Sequence, residues 1–435
     1  MISFKIDNGL KGNPKIPGDK SISHRSIIIP SISNGICEVK NYLESEDVIN
    51  TLETFISMGV KIIKNDKKLI IEGKGLNSLK KPNKDIYLGN SGTSARLLTG
   101  LLCSQKFDSI LTGDSSLSSR PMSRIAEPLK KMEANIVTNK GKMPLIIKGC
   151  NLVNAEIDIK IPSAQIKSGV ILAALNTEGI TKIIEHNISR DHTEIMLEAF
   201  QADIKITRED KKKIIAINGK KELQSKNIDV PSDLSSSAFF IVASLINKNS
   251  HLKLKNININ PTRNGILIAL EKMGANILYS NQRTINNEKI CDIEVYTSNL
   301  KGCDLHADVA NLMIDEYPIL SIAASFANSP SVFRGLGELK VKESDRLKLI
   351  NINLLNCGVD CKIIDDDLHI FPSKKFEIKN NTIKTDFDHR IAMAFAVMGS
   401  KIGPLNIKES NSINTSFPSF VNEFNTIGGK ISWKK

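Results

Sequence analysis

At 435 residues and 41% apolar content, the chain is long enough to bury a large core and to form two or more domains. Its longest apolar run, Ala238 to Ile246, is too short to span a bilayer, and the N-terminus carries no signal-peptide pattern; seven scattered cysteines, an odd number, fit a reducing cytoplasm. The formal charge of +12 raises the question of a polyanionic partner, but only 11 of the 59 basic residues are Arg. Lys fills apparent hairpins such as Lys64 to Lys68 and Lys211 to Lys213, a pattern of solvated surface rather than of a nucleic-acid patch. Where Lys is the default cation, an Arg marks a need for a planar, bidentate donor. Arg25, Arg96, Arg120, Arg190, Arg346 and Arg390 all sit inside polar motifs, a distribution that suits small anionic ligands.

In chain order, Ile2 to Ile6 reads as an opening strand that could complete either domain. Six apolar helices come next, each beginning with a polar cluster. The clusters are Lys20-Ser21-Ile22-Ser23-His24-Arg25, Asn90 to Arg96, Ser163-Ala164-Gln165-Ile166-Lys167-Ser168, Ser232-Asp233-Leu234-Ser235-Ser236-Ser237, Asp315-Glu316-Tyr317-Pro318 and Asp386-Phe387-Asp388-His389-Arg390. Because the residues after each cluster present no polar face, these helices are expected to be buried. A second series of amphipathic helices runs in step, each ending in a small residue before an apolar strand. Its junctions are Met58-Gly59-Val60, Met132-Glu133-Ala134, Phe200-Gln201-Ala202, Met273-Gly274-Ala275, Cys357-Gly358-Val359 and Ile427-Gly428-Gly429. The period is about 70 to 80 residues, an architectural unit of βαβαββ type. Three units make a compact domain and six make two, an α/β (α+β) architecture. The switch is expected near Asp229-Val230-Pro231, with residues 19–229 forming one domain and 1–18 with 230–435 the other. The polar N-termini of the buried helices are expected to face a common interdomain cleft, where their dipoles would hold an anion.

Leu88-Gly89-Asn90-Ser91-Gly92-Thr93-Ser94 is a glycine-bearing turn that Ser91, Thr93 or Ser94 would cap, with the helix beginning at Ala95. It lacks the Lys-Ser/Thr of a P-loop and the three-glycine dinucleotide fingerprint, so on its own it reads equally as a cap on a buried helix. Lys340 to Leu347 packs five charges into eight positions at a helix start. One reading is a solvated helix end with Glu343 and Asp345 favourable to the dipole; the other is an anion site with a carboxyl poised for proton transfer, which accounts for Lys342 and Arg346. Asp315 reads either as an acidic cap or as a functional carboxylate. His24 and His389 read as structural or supporting groups, Asp365-Asp366-Asp367 as a hairpin turn, and Cys357 and Cys361 as core thiols. No carboxylate or histidine cluster has metal-ligand spacing, so no metal is expected.

Eight motifs occur in order: Lys20 to Arg25, Gly89 to Thr93, Arg120-Pro121-Met122, Ser163-Ala164-Gln165, Ser189-Arg190-Asp191-His192-Thr193-Glu194, Lys342-Glu343-Ser344-Asp345-Arg346, Asp388-His389-Arg390-Ile391-Ala392-Met393 and Thr415-Ser416-Phe417-Pro418. Together they resemble the EPSP (5-enolpyruvylshikimate-3-phosphate) synthase family over essentially the whole chain. The resemblance implies two domains of three βαβαββ units, with the first strand lent to the C-terminal one. It implies transfer of the enolpyruvyl group of phosphoenolpyruvate to the 5-hydroxyl of shikimate 3-phosphate by addition and elimination, without a cofactor.

Carried over, Ser21 and Arg25 would hold the shikimate carboxylate, and Ser163, Ala164, Gln165 and Arg190 the ring and 3-phosphate, with Lys20, Asp315 and Lys342 also at this substrate. Lys20, Asn90, Gly92, Arg120, Gln165, Arg346 and Arg390 would surround phosphoenolpyruvate. Asp315 would be the base at the 5-hydroxyl, and Glu343 with Lys342 the proton-handling pair, with Lys20 alongside. Ala164, Thr415 and Arg190 place the chain with the second, bacterial class of the family, leaving 3-phosphate ligation open in detail. In this family glyphosate occupies the phosphoenolpyruvate site; Gly92 points to sensitivity, whereas Arg190 and Thr415 point the other way. The related transferase acting on UDP-N-acetylglucosamine is excluded by Ser21 and by the cysteine-free Leu117-Ser118-Ser119 before Arg120. An RNA-end-processing enzyme built from similar repeats is disfavoured by one Trp and five Tyr without basic-aromatic interleaving. The chain is expected to act as a cytoplasmic monomer with no nucleic-acid or membrane partner.

Overall fold

Six four-stranded sheets carry the fold of the computed structural model, which describes residues 1–66, 68–209, 212–373 and 375–433. Lys67 and Lys211, placed in hairpins by the sequence, lie outside the described residues. One repeat shows the plan. Ile86–Tyr87 pairs in parallel with Ser109–Thr112, which pairs antiparallel with Lys142–Lys148, itself antiparallel to Asn135–Asn139. A parallel pair needs a crossover, and the buried helix Gly92–Cys103 supplies it; the amphipathic helix Ser123–Lys130 then leads into the hairpin.

Three sheets borrow a strand from elsewhere in the chain. Ile228–Asp229 pairs with Asn34–Lys40, and Lys11–Gly12 with His251–Asn258, both in parallel. Ile2–Ser3 lies antiparallel between Leu405–Ile407 and Ile431–Ser432. The opening strand is thus two residues long rather than five, and it completes the last sheet, where the sixth repeat lacks a second hairpin strand. Hydrogen bonds from the Phe4 N–H to Lys430 O and from the Ile6 N–H to Ser400 O continue its anchoring.

The described residues form two compact units. One comprises Gly18–Val230 with Ile285–Glu288; the other comprises Met1–Pro17, Pro231–Thr284 and Lys289–Lys435. Each has its own core. In the first, the helices Lys20–Ser31, Gly92–Cys103 and Ala164–Leu175 are buried almost throughout. The second and third of these cross so closely at Gly100 and Gly169 that a Cβ on Gly100 would stand 1.8 Å from the Gly169 carbonyl oxygen. In the other unit the buried helices are Leu234–Ile246, Tyr317–Ser325 and His389–Ile402, with Phe239, Phe240, Phe417, Phe420 and Phe424 clustered in ring contact. No helix among the described residues is long and apolar enough to cross a membrane.

The buried helices begin where their polar clusters lie. Asp19, Ser91, Ser163, Asp233 and Asp388 each accept a hydrogen bond from a backbone N–H of the first turn. The helix after the glycine turn therefore starts at Gly92, three residues before Ala95, because Ser91 rather than Thr93 or Ser94 is the cap. The exception is Tyr317–Ser325, whose cap residue Glu316 makes no side-chain capping bond. Asp315 is thus not the cap residue of this helix, and its carboxylate accepts from Arg346 at 3.0 Å.

Candidate active site

In the Gly18–Val230 unit, three helix N-termini bring their polar residues into contact. Arg25, one turn into the first helix and 3% exposed, donates from Nε to Thr193 Oγ1 at 2.7 Å, from Nη2 to Ser168 Oγ at 2.8 Å and from Nη1 to the Ser21 carbonyl at 2.8 Å. Every partner is a neutral oxygen. Burial therefore dominates and pulls the guanidinium down to about 10, against Glu194, Asp19 and Glu288, while Arg190 adds to the lowering. It remains a cation at neutral pH, rigidly held and, among the described residues, without a contacting carboxylate. Lys20 is ion-paired to Asp47 at 2.5 Å.

Arg96 Nη1 donates to Gln165 Oε1 at 3.0 Å, and Gln165 Nε2 donates to Thr93 Oγ1 at 3.1 Å, tying the second helix to the third. Arg120 comes directly after the short helix Ser115–Ser119, and its Nη2 donates to Asn90 Oδ1 at 2.5 Å, while Asn90 Nδ2 donates to Asp114 at 2.8 Å. An ideal Cβ on Gly92 would lie 2.7 Å from Arg96 Nη1 and 2.9 Å from Arg120 Nη1, so the missing side chain leaves room for two guanidinium groups. Ser163 caps the third helix, Ala164 contributes no polar group, and Arg190 is half-buried after Ser189. His24 is a supporting group: buried between Thr51 and Ser94, it is held neutral by burial and then by Lys20 and Arg25.

The other unit holds a different kind of cluster. Lys340 to Leu347 resolves into the end of a 3₁₀ turn (Gly337–Val341), a bend, and the helix Arg346–Asn356 capped by Asp345. Arg346 is 1% exposed and uses all three nitrogens on carboxylates. Nε meets Asp388 at 2.8 Å, Nη1 meets Asp315 at 3.0 Å and Nη2 meets Glu343 at 2.5 Å. Burial alone would lower its pKa; Asp388, Glu343 and Asp315 outweigh burial and raise it. The charged stretch is thus mixed: Lys340 and Val341 are exposed and Asp345 caps the helix, while Arg346 is buried among carboxylates. Lys342 lies 3.9 Å from Asp315, and Arg390 donates to the Asp315 carbonyl at 3.1 Å and to Glu316 at 3.4 Å. His389 lies 3.4 Å from the Thr415 hydroxyl.

Sequence reasoning left several members of these clusters without a role. Asp47 lies in a helical stretch with no signal of its own, whereas Ser168 and Thr193 were visible inside a polar cluster and a motif without a role being assigned to them. Ser235 donates to Glu316 and accepts from Arg263 Nη2 at 2.7 Å, and Arg263 also meets Asp233 at 3.3 Å. Arg263 was findable, since the scarcity of Arg applies to it as well. Cys357 and Cys361 are buried in the core, their thiols pushed up to about 12 by desolvation. Asp365 turns the hairpin between Asp360–Ile364 and Asp367–Phe371 in the left-handed region. Among the described residues no group of three or more His, Cys, Asp or Glu is placed to hold a metal ion.

Fold and clusters together define an α/β enzyme of sixfold internal repeat, with a set of rigid cations suited to small polyanions and a set of linked carboxylates suited to proton transfer. The family model for EPSP synthase (3-phosphoshikimate 1-carboxyvinyltransferase) matches residues 5–424. Proteins named 3-phosphoshikimate 1-carboxyvinyltransferase from Vesicomyosocius okutanii and Legionella pneumophila are 43% and 45% identical; the matches cover 99% of both chains in the first case, and 97% of this chain and 96% of the relative in the second. The solved EPSP synthase from Acinetobacter baumannii superposes with a TM-score of 0.86 at 41% identity, covering 99% of each chain. The chain belongs to the EPSP synthase family. Its activity is transfer of the enolpyruvyl group of phosphoenolpyruvate to the 5-hydroxyl of shikimate 3-phosphate, with release of phosphate, in the shikimate pathway.

Proposed function

We propose that the two clusters divide the work of this transfer, the Gly18–Val230 unit supplying fixed cations and the other unit moving protons. Arg25 and Ser21 take the shikimate carboxylate, and Ser163, Ala164, Gln165 and Arg190 take the ring and 3-phosphate. Lys20, Asn90, Gly92, Arg120 and Gln165 take phosphoenolpyruvate, together with Arg346 and Arg390. Asp315 accepts the 5-hydroxyl proton as the oxygen adds to C2 of phosphoenolpyruvate, and the Lys342–Glu343 pair delivers a proton to C3. Loss of a C3 proton to the same pair then expels phosphate and leaves the enol ether. The carrying observation is that one buried guanidinium, Arg346, bonds Asp315 and Glu343 together, fixing the two carboxylates in one arrangement. The enzyme works as a cytoplasmic monomer with no nucleic-acid partner.

These roles are tested by removing the carboxylates one at a time. Asp315→Asn keeps the shape and the Arg346 contact but loses the base, so phosphate release requiring both substrates should fall by about two orders of magnitude or more with little change in substrate binding. Glu343→Gln should behave likewise. Near-parental turnover in either variant removes that residue from the proton-transfer scheme.

A further inference from the structure

Four charged side chains lie buried beside the cation cluster, and nothing in the transfer itself uses them. Lys167 sits inside the apolar helix Ala164–Leu175 with its side chain fully buried. Its ammonium contacts Glu185 at 2.9 Å, Glu194 at 2.8 Å and the Ser189 carbonyl at 3.3 Å. Glu194 is shared with Lys213 at 3.0 Å, and Glu185 accepts a hydrogen bond from Ser189 Oγ at 2.5 Å. Such a network is a poor device for stability, because desolvating the charges offsets most of their attraction and apolar residues of equal volume often do as well. Lys167 and Glu194 stay charged: burial opposes the charge on each, and their partners outweigh it, raising the one pKa and lowering the other.

What the network does fix is geometry. Lys167 precedes Ser168, and Glu194 comes after Thr193, the two hydroxyls that hold Arg25. Ser189, gripped through both its carbonyl and its hydroxyl, precedes Arg190. We infer that Lys167 is a positioning residue: through Glu185, Glu194 and Ser189 it sets the spacing of Arg25 and Arg190, and with it the affinity for the carboxylate and phosphate of shikimate 3-phosphate. This rests on the assignment of Arg25 and Arg190 to that substrate. An unbranched apolar side chain of similar length would fill the space but leave the Ser189-Arg190 backbone without its ionic anchor.

The experiment compares Lys167→Met, the charge-balanced Lys167→Met/Glu185→Gln and the mild Ser189→Ala. Titration calorimetry gives the Kd for shikimate 3-phosphate, thermal melting reports folding, and steady-state kinetics give the KM for phosphoenolpyruvate. Lys167→Met should raise the Kd by about tenfold or more and Ser189→Ala by about threefold, with the phosphoenolpyruvate KM within about twofold of the parent. The double variant should regain melting temperature but keep the weak Kd, a split that a purely structural role does not produce. Parental Kd in either Ser189→Ala or the double variant overturns the inference, as does a proportional loss of every kinetic parameter. Arg25→Lys and Arg190→Lys separate the two failures. If these leave the Kd unchanged, the substrate assignment falls; if they weaken it while the Lys167 and Ser189 variants do not, only the positioning role falls.

Discussion

A methyl group on Gly92 would stand 2.7 Å from Arg96 Nη1 and 2.9 Å from Arg120 Nη1, with Gln165 Oε1 at 3.8 Å. The crowded atoms are the far ends of flexible side chains, so Gly92→Ala should fold normally and move two guanidinium groups by a few tenths of an ångström or more. Gly92 itself is the first residue of its helix and takes no strained backbone angle, which leaves space as the reason for glycine here. Compact phosphoenolpyruvate should tolerate the shift better than the longer glyphosate, whose binding needs more of the same pocket. The expected outcome is a melting temperature within a few degrees of the parent, a phosphoenolpyruvate KM raised by about two- to fivefold, and a larger loss of glyphosate inhibition. Titrating glyphosate against both proteins at matched phosphoenolpyruvate saturation decides it; equal inhibition means that Gly92 does not line the inhibitor's part of the pocket.

At the scale of elements, the Gly100–Gly169 crossing behaves in the opposite way. A Cβ on Gly100 meets backbone, with Gly169 O at 1.8 Å and C at 2.5 Å, and no rotamer change relieves that contact. Gly100→Ala must push apart the two helices that carry Arg96 and Gln165, so it should cost about 2–3 kcal/mol in urea unfolding and lower activity in the folded fraction too. A variant with parental stability would show that the helices separate without cost. Much of this architecture was legible in the chain. Buried helices announce themselves by a nearly all-apolar run after a polar cluster, and the junctions after the amphipathic helices mark a left-handed residue: Gly59, Gly274, Gly358 and Gly428 occupy that position at positive φ, as do Glu133 and Gln201. The two-residue strands Lys11–Gly12 and Ile228–Asp229 were not legible, because period-two alternation needs more residues than they have. The partners of Lys167 and Arg263 were equally hidden, since they come from elements that only the folded chain brings together. The motifs of the candidate site were visible as residue types, but the linkage of Asp315, Glu343 and Asp388 through one arginine was not.

Over the whole molecule, the excess of positive charge is carried by Lys, and the Lys ion pairs seen at the surface, such as Lys61 with Glu72 and Lys130 with Glu127, are exposed ones. Exposed pairs contribute little to stability, so the melting temperature should change by only a few degrees between about 20 and about 300 mM KCl. Substrate capture should respond differently. Shikimate 3-phosphate and phosphoenolpyruvate each carry a carboxylate and a phosphate, and a chain of net charge +12 attracts them over distances that salt shortens to about 8 Å at physiological strength. The expected result is a fall of about three- to tenfold in kcat/KM for either substrate across that range, with kcat nearly constant, because the buried cations proposed to hold the bound state are screened much less. A control with potassium glutamate in place of chloride separates screening from competition by chloride at the anion sites. If kcat/KM stays flat in both salts, the surface lysines take no part in capture, and the fixed guanidinium groups of Arg25, Arg96 and Arg120 account for anion recognition.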